Sequence, residues 1–361
     1  MVTTFKNLPK EASSLISLNK KSQLLGSFLF GLLIVLICIA ANMGEADISV
    51  QQTVRVILGK LLHNPDLHSD ISGGFVSIIW DIRLPRILSA VFVGAGLAVA
   101  GAVFQSLLMN PLADPYTLGI STGAAFGASL SIYFSAILGA NFLPTLPAAF
   151  LFALITLILV IMLANRSSGL SASNLIISGI IVGSVLSAGI TFIKNAAGEE
   201  VAAIIYWLMG NLSARSWSHI LILFPIVFIG CLICFYYSNE INILCTGEEK
   251  AQTLGVDVKK TRWILLITAS LLTAACVSVS GIIGFVGLVI PHLIRFGLTS
   301  NNQHVLPLSA LLGGLLLMIA DNITRLLFVS EIPVGVLTTL IGGPYFLFLF
   351  TRKSKSGDIK L

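Results

Sequence analysis

Residues 115–165 read PYTLGISTGAAFGASLSIYFSAILGANFLPTLPAAFLFALITLILVIMLAN and contain no formally charged side chain. One helix crosses a membrane with roughly 20 apolar residues, so this run of 51 residues is long enough for two helices. Gly139, Asn141, Pro144 and Pro147 interrupt the run near its middle, and these residue types favour turns. The stretch therefore predicts two membrane-spanning helices with a tight turn between them.

The composition of the whole chain agrees with this membrane interpretation. Of the 361 residues, 56% are hydrophobic and 10% are charged, and the mean hydropathy is +0.97. An average soluble domain has about 25% charged residues, so a soluble fold of this composition would have too little polar surface to face water. We therefore predict an all-α, polytopic membrane helix bundle that forms one domain at 22–352.

Other charge-free stretches predict the remaining spans. Six of them each fit one helix: Ser22–Gly44, Ile87–Ala113, Ser167–Ile193, Ser216–Asn239, Phe296–Ala320 and Ile332–Thr351. The stretch Trp263–Ile294 contains Gly281, Gly284 and Gly287 in its second half, and it fits either one long helix or two short ones.

The distribution of positive charge decides the number of spans. Lysines and arginines are concentrated in the two terminal segments, 1–21 and 352–361, and positively charged segments favour the cytoplasmic side. Both termini are therefore expected in the cytoplasm, which requires an even number of spans. We predict ten, with an external loop at 45–80, a cytoplasmic loop at 240–261 and a cytoplasmic tail at 353–361. This topology places 14 of the 21 lysines and arginines inside.

Several classes of function find no support in the sequence. The net charge of +5 is carried by loops and termini rather than by a basic stripe, so no nucleic-acid partner is expected. The chain has no G-x-x-x-x-G-K-[ST] motif for binding ATP. Four of the five cysteines lie in apolar runs, and Cys231-x-x-Cys234 has no second pair to complete a site. No catalytic residues, metal site or disulfide framework are expected.

Small residues recur every four positions on the predicted spans. Such stripes let helices approach closely in lipid, where apolar surface alone does not drive association. The glycines expected to pack in this way are Gly119, Gly123 and Gly127 on the third span, and Gly179 and Gly183 on the fifth.

Positive charge lies unexpectedly on the predicted outer side. The sequence DIRLPR at 81–86 places Arg83 and Arg86 just before the second span. We predict that they form, with Arg325, a docking site for acidic side chains of a partner, and that Asp321 orients Arg325 from one turn away. The alternative is that the arginines extend towards the membrane interface, as long cationic side chains often do.

Two polar segments face the predicted cytoplasmic side. NPLADP at 110–115 forms a tight, irregular turn between the second and third spans. The segment 244–257 has Glu248 and Glu249 in the first turn of a short helix, Gly255 at its end, and Asp257 as a cap for the next short helix. A short amphipathic helix of this kind fits a groove in a soluble partner.

These segments, together with GIIGFVGLVIPH at 281–292 and IPVG at 332–335, occur in an order that resembles one known family. From about Asp81 to Arg352 the chain closely resembles the FecCD family of ABC permeases, which import ferric siderophores, haem and vitamin B12. The resemblance implies a ten-span subunit of the inner membrane that pairs with a second permease subunit, as a homodimer or with a paralogue.

The resemblance also implies partners and site residues. Two cytoplasmic ATP-binding subunits, which use ATP and Mg, are expected to grip the coupling loop at Gly247, Glu248, Glu249, Ala251, Leu254 and Gly255. An external substrate-binding protein is expected to dock at Arg83, Arg86 and Arg325. The translocation path is expected beside the fifth span, with Asn110, Leu112, Ser171 and Ser173 near its inner end. The chain has Ser171-Ala172-Ser173 where some members have Ser-Thr-Ser, so it lacks the central hydroxyl.

The substrate stays open at this point. An iron–siderophore complex is the first expectation, and haem, vitamin B12 or molybdate are alternatives within the same importer type. An ion-coupled secondary transporter is the alternative of another class, although such proteins usually carry ionisable residues near the membrane midplane. The chain itself is expected to bind no cofactor.

Overall fold

Helices form the framework of the described chain, whose ranges in the computed structural model are 10–44, 46, 48–139, 143–166, 171–327 and 331–355. The first seven helices are α1 (Lys10–Asn42), α2 (Val50–Leu61), α3 (Gly73–Ser77), α4 (Leu84–Leu107), α5 (Ile120–Leu138), α6 (Thr145–Arg166) and α7 (Ala172–Ala196). The others are α8 (Val201–Leu208), α9 (Trp217–Tyr236), α10 (Ser238–Leu244), α11 (Glu248–Thr253), α12 (Val258–Ser280), α13 (Val286–Gly297), α14 (Asn302–Leu327) and α15 (Val334–Lys355). The predicted terminal segments 1–21 and 353–361 lie partly outside the described residues, as does Asn141 of the predicted turn.

Eight helices in the described ranges are long and apolar enough to cross a membrane. They are Lys20–Asn42, Gly73–Leu107, Ile120–Leu138, Thr145–Arg166, Ala172–Ala196, Trp217–Tyr236, Val258–Ser280 and Asn302–Leu327. Two shorter apolar helices, Val286–Gly297 and Val334–Phe348, occupy the places of the predicted eighth and tenth spans. The all-helical membrane architecture is confirmed, while the count of ten crossings and the cytoplasmic side of both termini stay predictions.

The second span begins earlier than its charge pattern predicted. α3, a π-helical segment at Ile78–Arg83 and α4 form one continuous helical body over Gly73–Leu107, whereas the charge-free run begins at Ile87. The arginines do not end the helix because their side chains find partners inside the fold. The span ends at Leu107 rather than at Ala113, and Met109 there has a φ of +46°.

The division of Trp263–Ile294 also differs from the prediction of two short helices. Asp257 Oδ1 accepts the backbone N–H of Lys260 and caps α12, which therefore begins in the polar segment and runs for 23 residues. Gly281, with a φ of +70°, ends α12, and the residues up to Phe285 are not helical. Only the second helix, α13, is short, at 12 residues.

α4 and α12 form the centre of the bundle. In their most apolar windows 83% and 78% of the residues are buried, against 22% in α1, which lies at the periphery. Gly94 of α4 lies against the backbone of Gly313 in α14, where a Cβ on either glycine would overlap the other helix. Such close approach holds helices together in lipid.

The predicted small-residue stripes lie at helix contacts. Gly123 lies against Thr156 of α6, and Gly127 lies against Ala148 of the same helix. Gly179 of α7 lies against the backbone of Thr117 and Leu118, just before α5 begins. Two further stripe residues complete this contact between α5 and α7: Gly119, which has a φ of +72°, and Gly183, where an added Cβ would lie 3.9 Å from the Cα of Gly119.

Candidate translocation site and its two surfaces

Two arginines on the predicted outer side cover the carbonyl end of α1. Arg83 is 4% exposed and donates hydrogen bonds of 3.0–3.2 Å to three carbonyl oxygens, those of Ala41, Asn42 and Ala46. Arg325 donates hydrogen bonds of 3.0 Å to the carbonyl oxygens of Ala40 and Met43. The last carbonyls of a helix lack intrahelical partners and carry partial negative charge. This helix end therefore compensates the positive charge on the outer side.

Arg86 is held by two carboxylates of different burial. Its Nε and Nη2 donate to the two oxygens of Asp321 at 2.8 and 3.0 Å, and its Nη1 donates to both oxygens of Glu331 at 2.9 and 3.0 Å. The Asp321 side chain is 4% exposed and the Glu331 side chain is 40% exposed. The expectation that Asp321 orients Arg325 is therefore wrong: its carboxylate binds Arg86 across the α4–α14 contact, and Arg325 donates to Asn322 instead.

The three arginines nevertheless line one crevice. It has a volume of about 740 Å³, and Glu331 is the carboxylate among its lining residues. The crevice presents net positive charge even though each guanidinium has an internal hydrogen-bond partner. This charge is what the docking of acidic side chains requires, and docking itself stays a prediction.

A second and somewhat smaller cavity, open to the surface beside the exposed Leu340, lies where sequence analysis placed no site. A cavity of about 620 Å³ is bounded by four segments of the chain, which contribute Asp114 and Tyr116; Leu208 and Met209; Ile282, Gly284, Phe285 and Leu288; and Gly335, Val336, Thr339 and Leu340. Most of these side chains are apolar. The volume is within the usual range for small-molecule sites.

Non-helical backbone forms one wall of this cavity. Residues on either side of the 281–285 segment contact the buried middle of α4, since Cys276 lies at Gly96 and Gly287 lies at Gly101. The segment is therefore at membrane depth, where irregular backbone is tolerated only inside protein or beside a cavity. Phe285 has a left-handed φ of +68°, and strained backbone of this kind is concentrated at functional sites.

Neighbouring backbones hold the segment in place. The N–H of Asn211 donates to the carbonyl of Ser280 at 2.7 Å, and the N–H of Gly335 donates to the carbonyl of Gly210 at 3.2 Å. A side chain at Gly335 would overlap the carbonyls of Met209 and Ile282. The glycines of the 281–292 and IPVG motifs thus allow close packing of three backbone segments, which contain Gly210, Ile282 and Gly335.

The inner turn connects the cavity to the predicted cytoplasmic side. Asn110 Oδ1 accepts the N–H of Leu112 at 2.9 Å, and the Leu112 side chain is 44% exposed. Asp114 Oδ1 accepts the N–H groups of Tyr116 and Thr117, both at 3.0 Å. Burial raises the pKa of the Asp114 carboxyl to about 6, against the lowering effect of these two hydrogen bonds. Asp114 and Tyr116 line the cavity from this turn, and the buried Tyr116 hydroxyl has no hydrogen-bond partner in the described chain.

Ser171 and Ser173 are exposed at the beginning of α7. Ser171 caps the helix, because its Oγ accepts the N–H of Asn174 at 3.2 Å. Gly179, two turns further on, lies against Thr117 and Leu118, so α7 contacts the residues that directly follow Tyr116 of the cavity wall. These contacts leave the gating role of the two serines a prediction.

A buried polar network below the cavity was missed by sequence analysis. Arg295 donates hydrogen bonds to four oxygens of α4 and α14: those of Gln105 (2.5 Å), Ala102 (3.0 Å), Ser106 (2.9 Å) and Asn302 (3.1 Å). Asn302 donates in turn to Asn242 of α10, from its backbone at 2.8 Å and from its side chain at 2.9 Å. Gln105 also donates to the carbonyl of Leu288 in the cavity wall at 3.1 Å. The network therefore joins the cavity wall to the segment that leads into the coupling loop.

The coupling loop contains the short helix that the sequence predicted. α11 has Glu248 and Glu249 in its first turn, and its flanking glycines, Gly247 and Gly255, have φ values of +109° and +85°. Ala251 is fully buried, whereas Leu254 is 65% exposed. Glu248 forms an ion pair with Arg262 of α12 at 2.5 Å. The ion pair therefore connects α11 to the central helix α12, and Leu254, at the C-cap of α11, stays exposed.

The described residues contain no group of three or more His, Cys, Asp or Glu side chains that could hold a metal ion. Cys231 and Cys234 are both buried as free thiols in α9.

Comparison with known proteins identifies the chain's relatives. A model of the FecCD transport family matches residues 32–352. An uncharacterised ABC transporter permease protein of Bacillus subtilis, YvrB, is 41% identical over 78% of this chain and 81% of its own length. The cobalamin import system permease protein BtuC of Halobacterium salinarum is 42% identical over 75% of this chain and 73% of its own.

Solved structures show the same architecture. A metal-chelate type ABC transporter in an inward-facing conformation superposes with a TM-score of 0.78 and 33% identity, over 90% of this chain and 99% of that one. Relatives named for other substrates include the Fe(3+)-citrate permease YfmE of Bacillus subtilis, 37% identical over 90% of this chain and 93% of its own, and the molybdate permease MolB of Haemophilus influenzae, 34% identical over 91% and 96%.

Proposed function

Because this chain belongs to the FecCD transport family, we propose that it is the membrane-spanning subunit of an ATP-driven importer and that its substrate is a ferric chelate. It is a multi-pass protein of the inner membrane. The observation that carries the proposal is the cavity of about 620 Å³, which is bounded by irregular backbone and open to the surface at one side. An importer needs such a space at membrane depth, and discontinuous helices are how membrane proteins build one.

The mechanism we propose follows from the chain's own contacts. ATP hydrolysis by two partner subunits would move α11, and the Glu248–Arg262 ion pair would pass this movement to α12. The network of Arg295 would carry movement of α10 to Leu288 in the cavity wall. The substrate is moved and is not chemically changed.

A second permease subunit completes the proposed assembly, most simply a second copy of this chain. α7 supports this, because it presents a row of exposed apolar side chains on the outside of the subunit: Ile177, Ile180, Ile181, Val185 and Phe192. An external binding protein would deliver the substrate at the arginine crevice.

The choice of substrate rests on the chemistry of the relatives and of the cavity. Relatives of this chain are named for cobalamin and Fe(3+)-citrate, both of which are bulky metal complexes. The mostly apolar cavity wall, with one carboxylate and no cationic side chain among its lining residues, suits such a complex better than a small oxyanion. Haem, vitamin B12 and molybdate are the alternatives within the same importer type, because relatives are named for hemin, vitamin B12 and molybdate.

Reconstitution tests the proposal. The permease is placed in proteoliposomes with its ATP-binding subunits and binding protein, and uptake of a radiolabelled ferric siderophore, cobalamin and molybdate is compared. We expect ATP-dependent uptake of the ferric siderophore, and none with an ATP-binding subunit whose P-loop lysine is replaced. ATP-dependent uptake of cobalamin or molybdate alone would overturn the iron assignment. Uptake without ATP that stops on addition of a protonophore would establish the ion-coupled alternative.

A further inference from the structure

The external helix α2 has three distinct faces. Its buried face consists of Thr53, Val56 and Gly59. At 3.6 residues per turn, a second face is formed by apolar side chains that are all exposed: Val50 (62%), Val54 (44%), Leu58 (45%) and Leu61 (62%). The third face is polar and includes Gln51 and Arg55. We call the second face the α2 stripe.

The rest of the segment holds the α2 stripe in a fixed orientation. Ser49 and Gln52 form a capping box at the beginning of α2. On the polar face, Arg55 donates to both oxygens of Asp70, at 2.9 and 2.5 Å, and to the carbonyl of Leu67 at 2.8 Å. The stripe is therefore the exposed face of an ordered helix whose other faces have defined contacts.

The α2 stripe begins beside the end of the first span. Thr53 Oγ1 donates to Asn42, the last residue of α1, at 3.1 Å. Around the helix, Val50 is the stripe residue next to Thr53. Ile39 in the last turn of α1 (47% exposed) and Met43 just after this helix (41% exposed) also present apolar side chains. The stripe thus continues the apolar surface that α1 presents to lipid.

We propose that α2 lies in the plane of the membrane surface, with the α2 stripe in the lipid and Gln51 and Arg55 towards water. A helix at the membrane surface of a protein contacts protein, lipid and water, and the buried, apolar and polar faces of α2 suit these three surroundings. Aliphatic residues on one side with polar and cationic residues on another are typical of interfacial helices. The stripe lacks the aromatic residues and arginines that dominate protein-binding surfaces. Lipid therefore fits it better than a protein partner does.

The position of α2 has a consequence for the arginine crevice. α2 packs against the π-helical segment Ile78–Arg83, which supplies Arg83 to the crevice. An α2 anchored in lipid would set the height of this crevice above the membrane, independently of which substrate is carried.

Fluorescence quenching in nanodiscs tests the proposal without a transport assay. Single cysteines are introduced as Val50→Cys or Leu61→Cys on the stripe, and as Gln51→Cys, roughly a quarter turn away on the polar side, as the matched control. The exposed Cys38 and Cys245 are first replaced by serine. Each variant receives an environment-sensitive fluorophore and is titrated with a lipid that carries a nitroxide near its headgroup, and separately with aqueous iodide.

We expect the nitroxide lipid to quench the labels at positions 50 and 61 at least threefold more strongly than the label at position 51, and iodide to show the reverse order. Equal iodide quenching at all three positions would overturn the proposal. So would protection of positions 50 and 61 from both quenchers, since that result indicates a second copy of the chain on the stripe. Iodide quenching at these positions that disappears when the binding protein is added would assign the stripe to that protein instead.

Discussion

At the scale of single residues, Arg86 has two carboxylate partners, one of which is buried while the other is exposed. Its bond to Asp321 is buried on both sides, whereas its other partner, Glu331, reaches solvent. Removing one member of a buried pair leaves an uncompensated charge in the protein interior, which is far more costly than losing an exposed pair.

We therefore expect Asp321→Asn to lower the free energy of unfolding by about 3–5 kcal/mol. Glu331→Gln, at the same guanidinium, should cost no more than about 1 kcal/mol. Thermal unfolding of the two purified variants in detergent measures the difference. Equal melting temperatures would show that Asp321 is not the structural partner of Arg86.

Glu331→Gln should also affect docking. The substitution frees Nη1 of Arg86 for a carboxylate of the binding protein, so we expect docking to become tighter, by up to about fivefold for an interaction of this exposure. The dissociation constant of the binding protein from nanodiscs that contain the permease is the measurement. Asp70→Asn is the matched control, because Asp70 is an external carboxylate paired with an arginine away from the crevice. Unchanged docking by the Glu331 variant would remove Arg86 from the docking site.

Charge reversal at Arg83 or Arg86 would not isolate docking. A glutamate at position 86 would join Asp321 and Glu331, so three carboxylates would meet at the end of α4. A glutamate at position 83 would face the carbonyl end of α1. A defect in either variant would report on folding as much as on docking.

Asp114 provides a pH-dependent prediction. Its folded pKa of about 6 lies above that of an unfolded aspartate, so folding favours the protonated form. This stability is fully present below the unfolded pKa and is lost as the pH rises through 6. Between pH 5 and pH 7 the wild type should lose on the order of 1 kcal/mol that Asp114→Asn does not lose. Melting temperatures of both proteins across this range test the prediction, and parallel slopes would contradict it.

At the scale of elements, α11 is the unit that sequence described best. The first-turn acids, the flanking glycines and the cap at Asp257 are local signals, and each acts within a few residues of the backbone that it shapes. The start of α4 was predicted less well, because the charge of Arg83 and Arg86 is neutralised by residues distant in the sequence. A pattern read along the chain does not contain those partners.

The exposed leucine at the C-cap of α11 leads to a prediction on coupling. Leu254→Ala should leave the permease as stable as before, since this side chain is 65% exposed, but should weaken association with the ATP-binding subunits about tenfold or more. Gln252→Ala is the control, at an exposed polar position of the same helix. Association is measured with permease in nanodiscs, and ATP-dependent uptake is followed in parallel. If both variants bind equally well, α11 is not gripped through Leu254.

At the scale of the whole molecule, the bundle depends on the crossing of α4 and α14. Gly94→Ala places a methyl group on the backbone carbonyl of Gly313, so the two helices must move apart, and we expect a loss of about 1–3 kcal/mol. Gly31→Ala in the peripheral α1 has open space around it and should be neutral or stabilising, because alanine favours helix. Melting temperatures compare the two, and a neutral Gly94 variant would show that this contact can relax.

Much of the bundle could be predicted from hydropathy, because lipid forces the chain into long apolar helices. The cavity could not be predicted from hydropathy. Its wall combines Asp114, Met209, Phe285 and Thr339 from four segments, and only the folded bundle brings them together. The glycines at 281, 284 and 335 were visible in the sequence as motifs, but glycine indicates close backbone approach without naming the neighbour.

The two arginines that cover the carbonyl end of α1 lie far apart in the sequence, so the ribosome makes them at different times. The carbonyl of Ala41 is covered by Arg83, 42 residues later in the chain, but that of Ala40 waits for Arg325, 285 residues later. During synthesis, the first helix therefore enters the membrane long before the ribosome has made its second cap. A nascent or truncated chain that stops short of Arg325 lacks the donor for the carbonyls of Ala40 and Met43, so this end of the first helix is only partly capped until synthesis is nearly complete.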